Sequence, residues 1–574
     1  MASILYLLIS LLGASSVLSI DLPTGSDAPF LEIVDDETFI IGNSIWNATL
    51  SGQYARPIYY NGKDLVDDAT GFYLSYVDSD GFPWLDPEIV DAGDDWIDIQ
   101  FTNDVARFHW VIFRDFAGAY QYWINTNLPG GVNDMRVIHR LSNETFHSGH
   151  TYRKDEQLPT WDLYYSGKEV QDSTVELSNG TYISKYDWAT QINVPEAKFW
   201  GVYGDDVGSW FIQPSHEYVN GDQLKQELMV HMEAQTGDIA QLNMFGGGHY
   251  QFDINRTYGK GHMWGPWLWY LNDGTLSDVE ERSEQEIAAW PYEFPNADIS
   301  AAYQSRAGSV TGRITTSDNR VGDTVSVFLG DNSDALSTLD QYTGYYYRTS
   351  TDEDGYFTFE NVRTGKYGLY AWPGEGSPVG DITTNFTQWD IEVTEQEGEL
   401  DLGVYTWETQ NRTKIWQIGT LDRLPCEFSG GCGPYEHGLT DDAPANLTFN
   451  LGSSSTEDWH YVLSNDGQWV INFELEGEPD ENAGARLTVA LASYAARCYI
   501  DITVNNDVQI GQIQGLESDS ALYRSSPVAG VWRFLEYTIE PGIIKQGSNS
   551  IEFTTTATEQ WKGAMWDTII LEWD

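Results

Sequence analysis

Residues 135–154, MRVIHRLSNETFHSGHTYRK, carry Arg136, Arg140, Arg153 and Lys154 against one acid, Glu144, in a chain with 87 Asp and Glu to 30 Lys and Arg. An island of positive charge in so acidic a protein is expected to hold an anionic ligand. Arg136 and Arg140 carry that expectation, because a guanidinium grips a carboxylate with two parallel, charge-assisted hydrogen bonds. The bland alternative is a solvated basic strand and loop. His139, His147 and His150 lie in the same stretch.

Three further features stand out. Lys185 sits in SKYDWAT, flanked by Tyr186 and Trp188. His249 follows Gly246-Gly247-Gly248. The aromatic run GHMWGPWLWYLNDG, residues 261–274, includes Trp264 and has the character of a platform for stacking on sugar rings. Each has an ordinary alternative: a cation–π contact for the lysine, a tight turn for the histidine, core packing for the tryptophans. The triple glycine is no phosphate loop, since no Lys-Ser/Thr follows it.

Together these residues fit one reaction. Taking the C5 proton from a uronic acid requires its carboxylate charge to be neutralised, because the developing enolate adds negative charge there; Arg136 and Arg140 are suited to this. Lys185 would be the base if uncharged, which neighbouring cations or burial would favour. His249 would protonate the departing O4. Tyr186 and Trp264 complete the set as substrate contacts. Neither hydrolytic water nor a catalytic metal enters this scheme, so no cofactor is expected for catalysis. A paired-carboxylate glycosidase cannot be read from a chain with 87 acids.

The elements that must hold these groups are strands. In WIDIQF, Ile97, Ile99 and Phe101 share one face; TVSVFL at 324–329 and CYIDITV at 498–504 repeat the alternation, and Asn505-Asn506 fits a hairpin tip. One helix is expected, opened by a capping box from Ser277 to Glu280 and closed by Pro291 after Trp290. The chain is therefore all-β, and its length implies roughly three domains: residues 20–305, with eight of the ten His; a compact, seven-strand-like sandwich at 306–402; and a jelly roll at 403–574. The Asp-rich turn Asp352–Gly355 reads as a hairpin turn.

Residues 1–19 have the apolar run and small residues of a secretory signal. Export agrees with seven N-x-S/T sites, at Asn47, Asn143, Asn179, Asn255, Asn385, Asn411 and Asn446. Cys426 and Cys432 enclose a short Gly-rich loop and are placed to pair, while Cys498 reads as a buried thiol. A net charge of −57 excludes nucleic acid as a partner, and no later apolar run approaches a membrane span.

The strings MRVIHRLSNETFHSGHTYRKDEQLPT, SKYDWAT, GSWFIQPSHEYVNGDQLKQELMVH, GGGHY and WGPWLWYLNDGT resemble the rhamnogalacturonan lyases of polysaccharide lyase family 4. The likeness continues through DEDGYFTFENVRTGKYGLYAW, TKIWQIGTLDR, EDWHYVL, RLTVALAS and GAMWDTIILEW, and so spans nearly all of the mature chain. The resemblance implies a β super-sandwich with the active site, then a fibronectin type III-like domain, then a carbohydrate-binding-like jelly roll. It implies β-elimination at rhamnose-(1→4)-galacturonic acid bonds of rhamnogalacturonan I, leaving 4,5-unsaturated galacturonate ends. It further implies Lys185 as base, His249 as the catalytic histidine, Arg136 and Arg140 on the substrate, and a structural calcium in the third domain. The expected protein is a secreted, extracellular monomer acting on pectin. The competing expectations are a lyase for another uronic-acid polymer and a non-catalytic pectin-binding protein.

Overall fold

In a computed structural model, the protein is described over residues 20–574 except 78–79, 133–134, 251–256, 335–336, 342–343 and 558. The signal segment and the Asn255 site lie outside the described residues. Strand dominates, at 48% against 8% helix, as the period-two patterns require.

The first unit is two large sheets laid face to face. One has the strand order Phe30–Asp35, Thr38–Gly42, Trp46–Ser51, Tyr54–Tyr60, Gly71–Val77, Met135–Leu141, Ile239–Gly246, Val230–Met232. The other runs Lys154–Gln157, Ser148–Thr151, Phe199–Tyr203, Gly208–Ile212, Met263–Asn272, Ala117–Asn125, Ala106–Phe113, Trp96–Thr102, Glu88–Ala92. Aromatic rings fill the space between: Phe72 meets Trp110 at 5.0 Å between ring centres, and Trp46 meets Trp269 at 5.2 Å. Ile97, Ile99 and Phe101 all point into this core.

The expected helix is present as Leu276–Ala289, but it does not start as the sequence implied. Thr275 is its N-cap and makes no side-chain cap bond, so Ser277 lies inside the first turn. The preceding turn is closed instead by Asn272 Oδ1, which accepts from Gly274 N, and Asp273 Oδ1, which accepts from Thr275 N. Two further helices, Trp161–Ser166 and Ala297–Gln304, carry no strong sequence signal. The helices at 276–304 pack on the outer face of the second sheet around Val279, Tyr292 and Tyr303.

The middle unit has a three-stranded and a four-stranded sheet, and the last unit two five-stranded sheets. Asn505 and Asn506 both take left-handed backbone angles (φ 54° and 62°) between paired strands Cys498–Val504 and Val508–Ile513. In the turn at 352–355, Asp352 Oδ1 accepts from the amides of Asp354 and Tyr356, which occupies that carboxylate with the backbone. Cys426 and Cys432 are bonded, and Cys498 is a buried thiol whose pKa burial pushes up to about 12. Among the described residues no helix is long and apolar enough to cross a membrane. Among the described residues no group of three or more His, Cys, Asp or Glu side chains converges as a metal site.

The units are joined by buried polar contacts. Glu217 of the first accepts from Arg306 Nη1 at 2.7 Å, Arg306 Nη2 at 2.9 Å and Arg363 Nε at 2.7 Å. The third packs on the first through Gln171 Nε2 to Tyr523 O (3.0 Å) and Tyr435 Oη to Gln226 Oε1 (2.5 Å).

Candidate active site

The site lies on the outer face of the first sheet. In Met135–Leu141, alternation sends Val137 and His139 inward and leaves Arg136 and Arg140 outward, half-buried. His139 is therefore core: it stacks on Trp269 at 4.7 Å, and burial lowers its pKa to about 3. His147 Nε2 and His150 Nδ1 lie at the periphery, each 3.4 Å from a carboxylate oxygen, of Asp205 and Asp155 respectively.

The basic island of the sequence is not one in space. Arg140 Nη2 lies 3.5 Å from Glu233 and its Nη1 3.9 Å from Asp238, while its Nε donates to Tyr73 Oη at 3.2 Å. Lys154 pairs with Glu156 at 3.0 Å and stands over the Trp188 ring at 4.9 Å. Glu233 and Asp238, distant in sequence, return to Arg140, an outcome that a linear count of charge cannot foresee.

Lys185 opens a one-turn 3-10 helix, Lys185–Trp188, and here a capping box does form. Ser184 caps the turn with its side chain, and Asp187 Oδ2 accepts from Ser184 N at 3.0 Å. The turn fixes where the amine emerges. Its Nζ lies 2.8 Å from Asp172 Oδ2 and 5.2 Å from the Tyr186 ring centre, with the side chain 13% exposed. Of the two surroundings named for this lysine, neighbouring cations or burial, the fold supplies burial, and its direct partner is a carboxylate. Lys185 N donates to Ser173 O (3.2 Å), and Ser173 Oγ donates to Glu233 Oε1 (3.4 Å), which ties the lysine to the carboxylate that faces Arg140. Burial raises Glu233, but His231, Arg140 and Lys185 outweigh it and hold its pKa down at about 2.

His249 stands on the loop after Ile239–Gly246. Its Nδ1 is 2.9 Å from Glu227 Oε2, leaving Nε2 as the other ring nitrogen able to exchange a proton. Glu227 is fully buried; burial pushes it up, and Lys225, 3.0 Å away, together with His249 brings it below its usual range. The glycines have a structural use. A Cβ on Gly247 would stand 2.6 Å from Glu227 Oε1, so the loop packs directly on that carboxylate.

The ring centres of Tyr186 and His249 are 6.2 Å apart, which brings the histidine beside the lysine's neighbour. Tyr186 is fully buried, and its hydroxyl donates to Asp172 Oδ2 at 2.9 Å. It forms the floor of the site and orients Asp172, and it offers no ring face to a sugar, contrary to expectation. Trp264 is also misplaced by sequence reading. It is fully buried among Trp123, Phe245 and Tyr258, because Met263–Asn272 is covered on both sides, by the facing sheet and by the helices.

Four residues of the site were not foreseen: Asp172, Glu227, Glu233 and Arg524. The three acids had no local signal among so many. Arg524 comes from the third unit, and its Nη1 donates to His249 O at 2.8 Å.

What fold and site define is a three-unit β-sandwich protein with a lysine and a histidine brought together beside Tyr186 on the outside of its first sandwich. Residues 306–398 match the family model for polysaccharide lyase family 4, domain II, and residues 414–571 that for polysaccharide lyase family 4, domain III. The family resemblance carried by the sequence motifs is thus borne out. The chain is 29% identical over 539 residues to the rhamnogalacturonate lyase of Dickeya dadantii, covering 87% of each. It is 24% identical to "Probable rhamnogalacturonate lyase B" of Aspergillus niger, over 64% of this chain and 58% of that one. It is 21% identical to "Probable rhamnogalacturonate lyase A" of Aspergillus flavus, with 92% of both covered.

Proposed function

We propose that the protein is a secreted rhamnogalacturonan endolyase that cleaves rhamnose-(1→4)-galacturonic acid bonds of pectin by β-elimination. The observation that carries this reading is the convergence of Lys185 and His249 about Tyr186, with Arg140 joined to the same cluster through Glu233. The similarity to named rhamnogalacturonate lyases supports the substrate class.

Lys185, as free amine, takes the C5 proton of the galacturonate. The C5–H electron pair becomes the C4–C5 double bond as the C4–O4 pair departs with O4, and His249 supplies the proton that O4 needs. The ammonium left on Lys185 is the form that Asp172 stabilises. Arg136 and Arg140 face the carboxylates of the polymer, whose own charge would otherwise be repelled by a chain of net charge −57. Exposed Asn143, Asn179, Asn385, Asn411 and Asn446 are accessible to glycosylation on an export route.

Product analysis on defined rhamnogalacturonan I oligomers tests the reading. Internal cleavage with an ultraviolet-absorbing end and no added water is expected. Reducing ends without that absorbance would mean hydrolysis, and binding without products a non-catalytic protein.

A further inference from the structure

Arg524 closes the short turn Leu522–Arg524 of the third unit, yet its side chain ends in the first. Its Nη1 donates to the main-chain oxygen of His249 at 2.8 Å, and its Cζ stands 4.9 Å from the Tyr186 ring centre. The turn itself is fixed. Arg524 N donates to Ser520 O at 2.9 Å, and Tyr523 O accepts from Gln171 Nε2 at 3.0 Å, one residue from Asp172. Asp172 in turn takes Lys185 Nζ and Tyr186 Oη on the same oxygen. Burial pushes this carboxylate up, but Lys185, the Tyr186 hydroxyl and the charge of Arg524 outweigh it and hold it below its usual range.

We propose that Arg524 is a positioning residue for the lyase reaction: it anchors the His249 loop by the backbone and shares the charge of Asp172, so that Lys185 releases its proton more readily. The inference rests on the lyase reading above. A carboxylate beside an amine favours the ammonium form, whereas a cation near that carboxylate offsets part of its charge and opposes it. The other titratable groups around Lys185 are Tyr186 and Asp187 on its own turn, and Glu233 and His231 from the strand and turn packed against it. Arg524 adds to them a cation from the third unit, bonded to the His249 carbonyl and lying over the Tyr186 ring whose hydroxyl meets Asp172. The third unit, on this account, completes the site as well as flanking it.

The test compares wild type, Arg524→Gln and Arg524→Lys on rhamnogalacturonan I, reading kcat against pH and the melting temperature. Arg524→Gln is expected to lower kcat about ten-fold and to move the acidic limb of the profile up by about one pH unit. Arg524→Lys keeps the charge but loses the fork that reaches the His249 carbonyl, so kcat should fall while the limb stays in place. Wild-type kcat and limb in both variants would overturn the inference, as would equal losses in both with an unmoved limb, which is a packing effect. Should the Gln variant not fold, the Lys variant decides alone, and wild-type kcat there overturns the anchoring role. Absence of unsaturated product from the wild type would instead sink the lyase reading, and this inference with it.

Discussion

Lys185 Nζ and Asp172 Oδ2 lie 2.8 Å apart, and the same oxygen accepts from the hydroxyl of Tyr186, the next residue along the chain. The proposed base therefore rests against an anion that favours its protonated form. Such an arrangement suits a group that must receive a proton and then hold it.

Asp172→Asn removes that anion while keeping a side chain of the same shape. The amine should then be free of its proton at lower pH, so the acidic limb of kcat is expected to move down by about one unit. The direction is opposite to that expected for Arg524→Gln. Initial rates across pH on rhamnogalacturonan I check it, and an unmoved or raised limb would count against the role given to Asp172.

Glu227 orients His249 through Nδ1 at 2.9 Å from a fully buried position. Glu227→Gln keeps the size but loses the charge that holds the ring and its tautomer. A fall in kcat of about a hundred-fold is expected, the low end of what a positioned acid–base group contributes. KM should change little. Steady-state kinetics, alongside a melting curve to establish folding, measure the split.

Glu217 is the latch between the first and middle units, and two arginines are left buried without it. Breaking one side of such a cluster costs about 3–5 kcal/mol, so Glu217→Ala should lower the melting temperature markedly without moving the pH limbs of kcat. Burial raises this carboxyl, but Arg306 and Arg363 outweigh it and set its folded pKa at about 2, from an ordinary 4.5. A depressed carboxylate contributes stability above its unfolded value and loses it as pH falls. The latch's contribution should thus fade between pH 4.5 and 2, which acid-unfolding curves of wild type and variant will show.

Asp422 and Asp567 give the opposite sign. Both are buried in the third unit, and burial together with their mutual repulsion pushes the pair well above the usual carboxylate range. Carboxyls raised in the folded state hold protons that the unfolded chain has lost, so their stabilising effect is present at low pH and disappears as pH rises towards neutrality. Asp422→Asn removes one charge and keeps an acceptor for Leu424 N. Its melting temperature should exceed that of wild type at pH 8 and match it near pH 4, as calorimetry at the two values will show.

Much of the fold was legible because its signals are local. Ile97, Ile99 and Phe101 alternate in sequence and share one core face, and Asn505-Asn506 supplied the left-handed residues a tight connection needs. Lys185 and His249 stood out because cations are scarce in this chain and both sit in unusual surroundings, and the fold brings both beside Tyr186. Trp264 was misread because a Trp-rich run looks the same on a sugar platform as on a strand covered on both faces. Asp172, Glu227 and Glu233 could not be picked from the other acids by spacing. Arg524 could not be found at all, since its partner His249 is 275 residues away and only packing between units joins them.

The central claim is that an amine strips the ring hydrogen of a sugar acid whose charge is quenched beside it. The most direct test is the rate at which Lys185→Ala generates the unsaturated, absorbing end on rhamnogalacturonan I, with polymer binding measured on the same preparation. A loss of about a thousand-fold or more in that rate, with binding retained, is the predicted result. Wild-type kcat in the Lys185→Ala variant would contradict it.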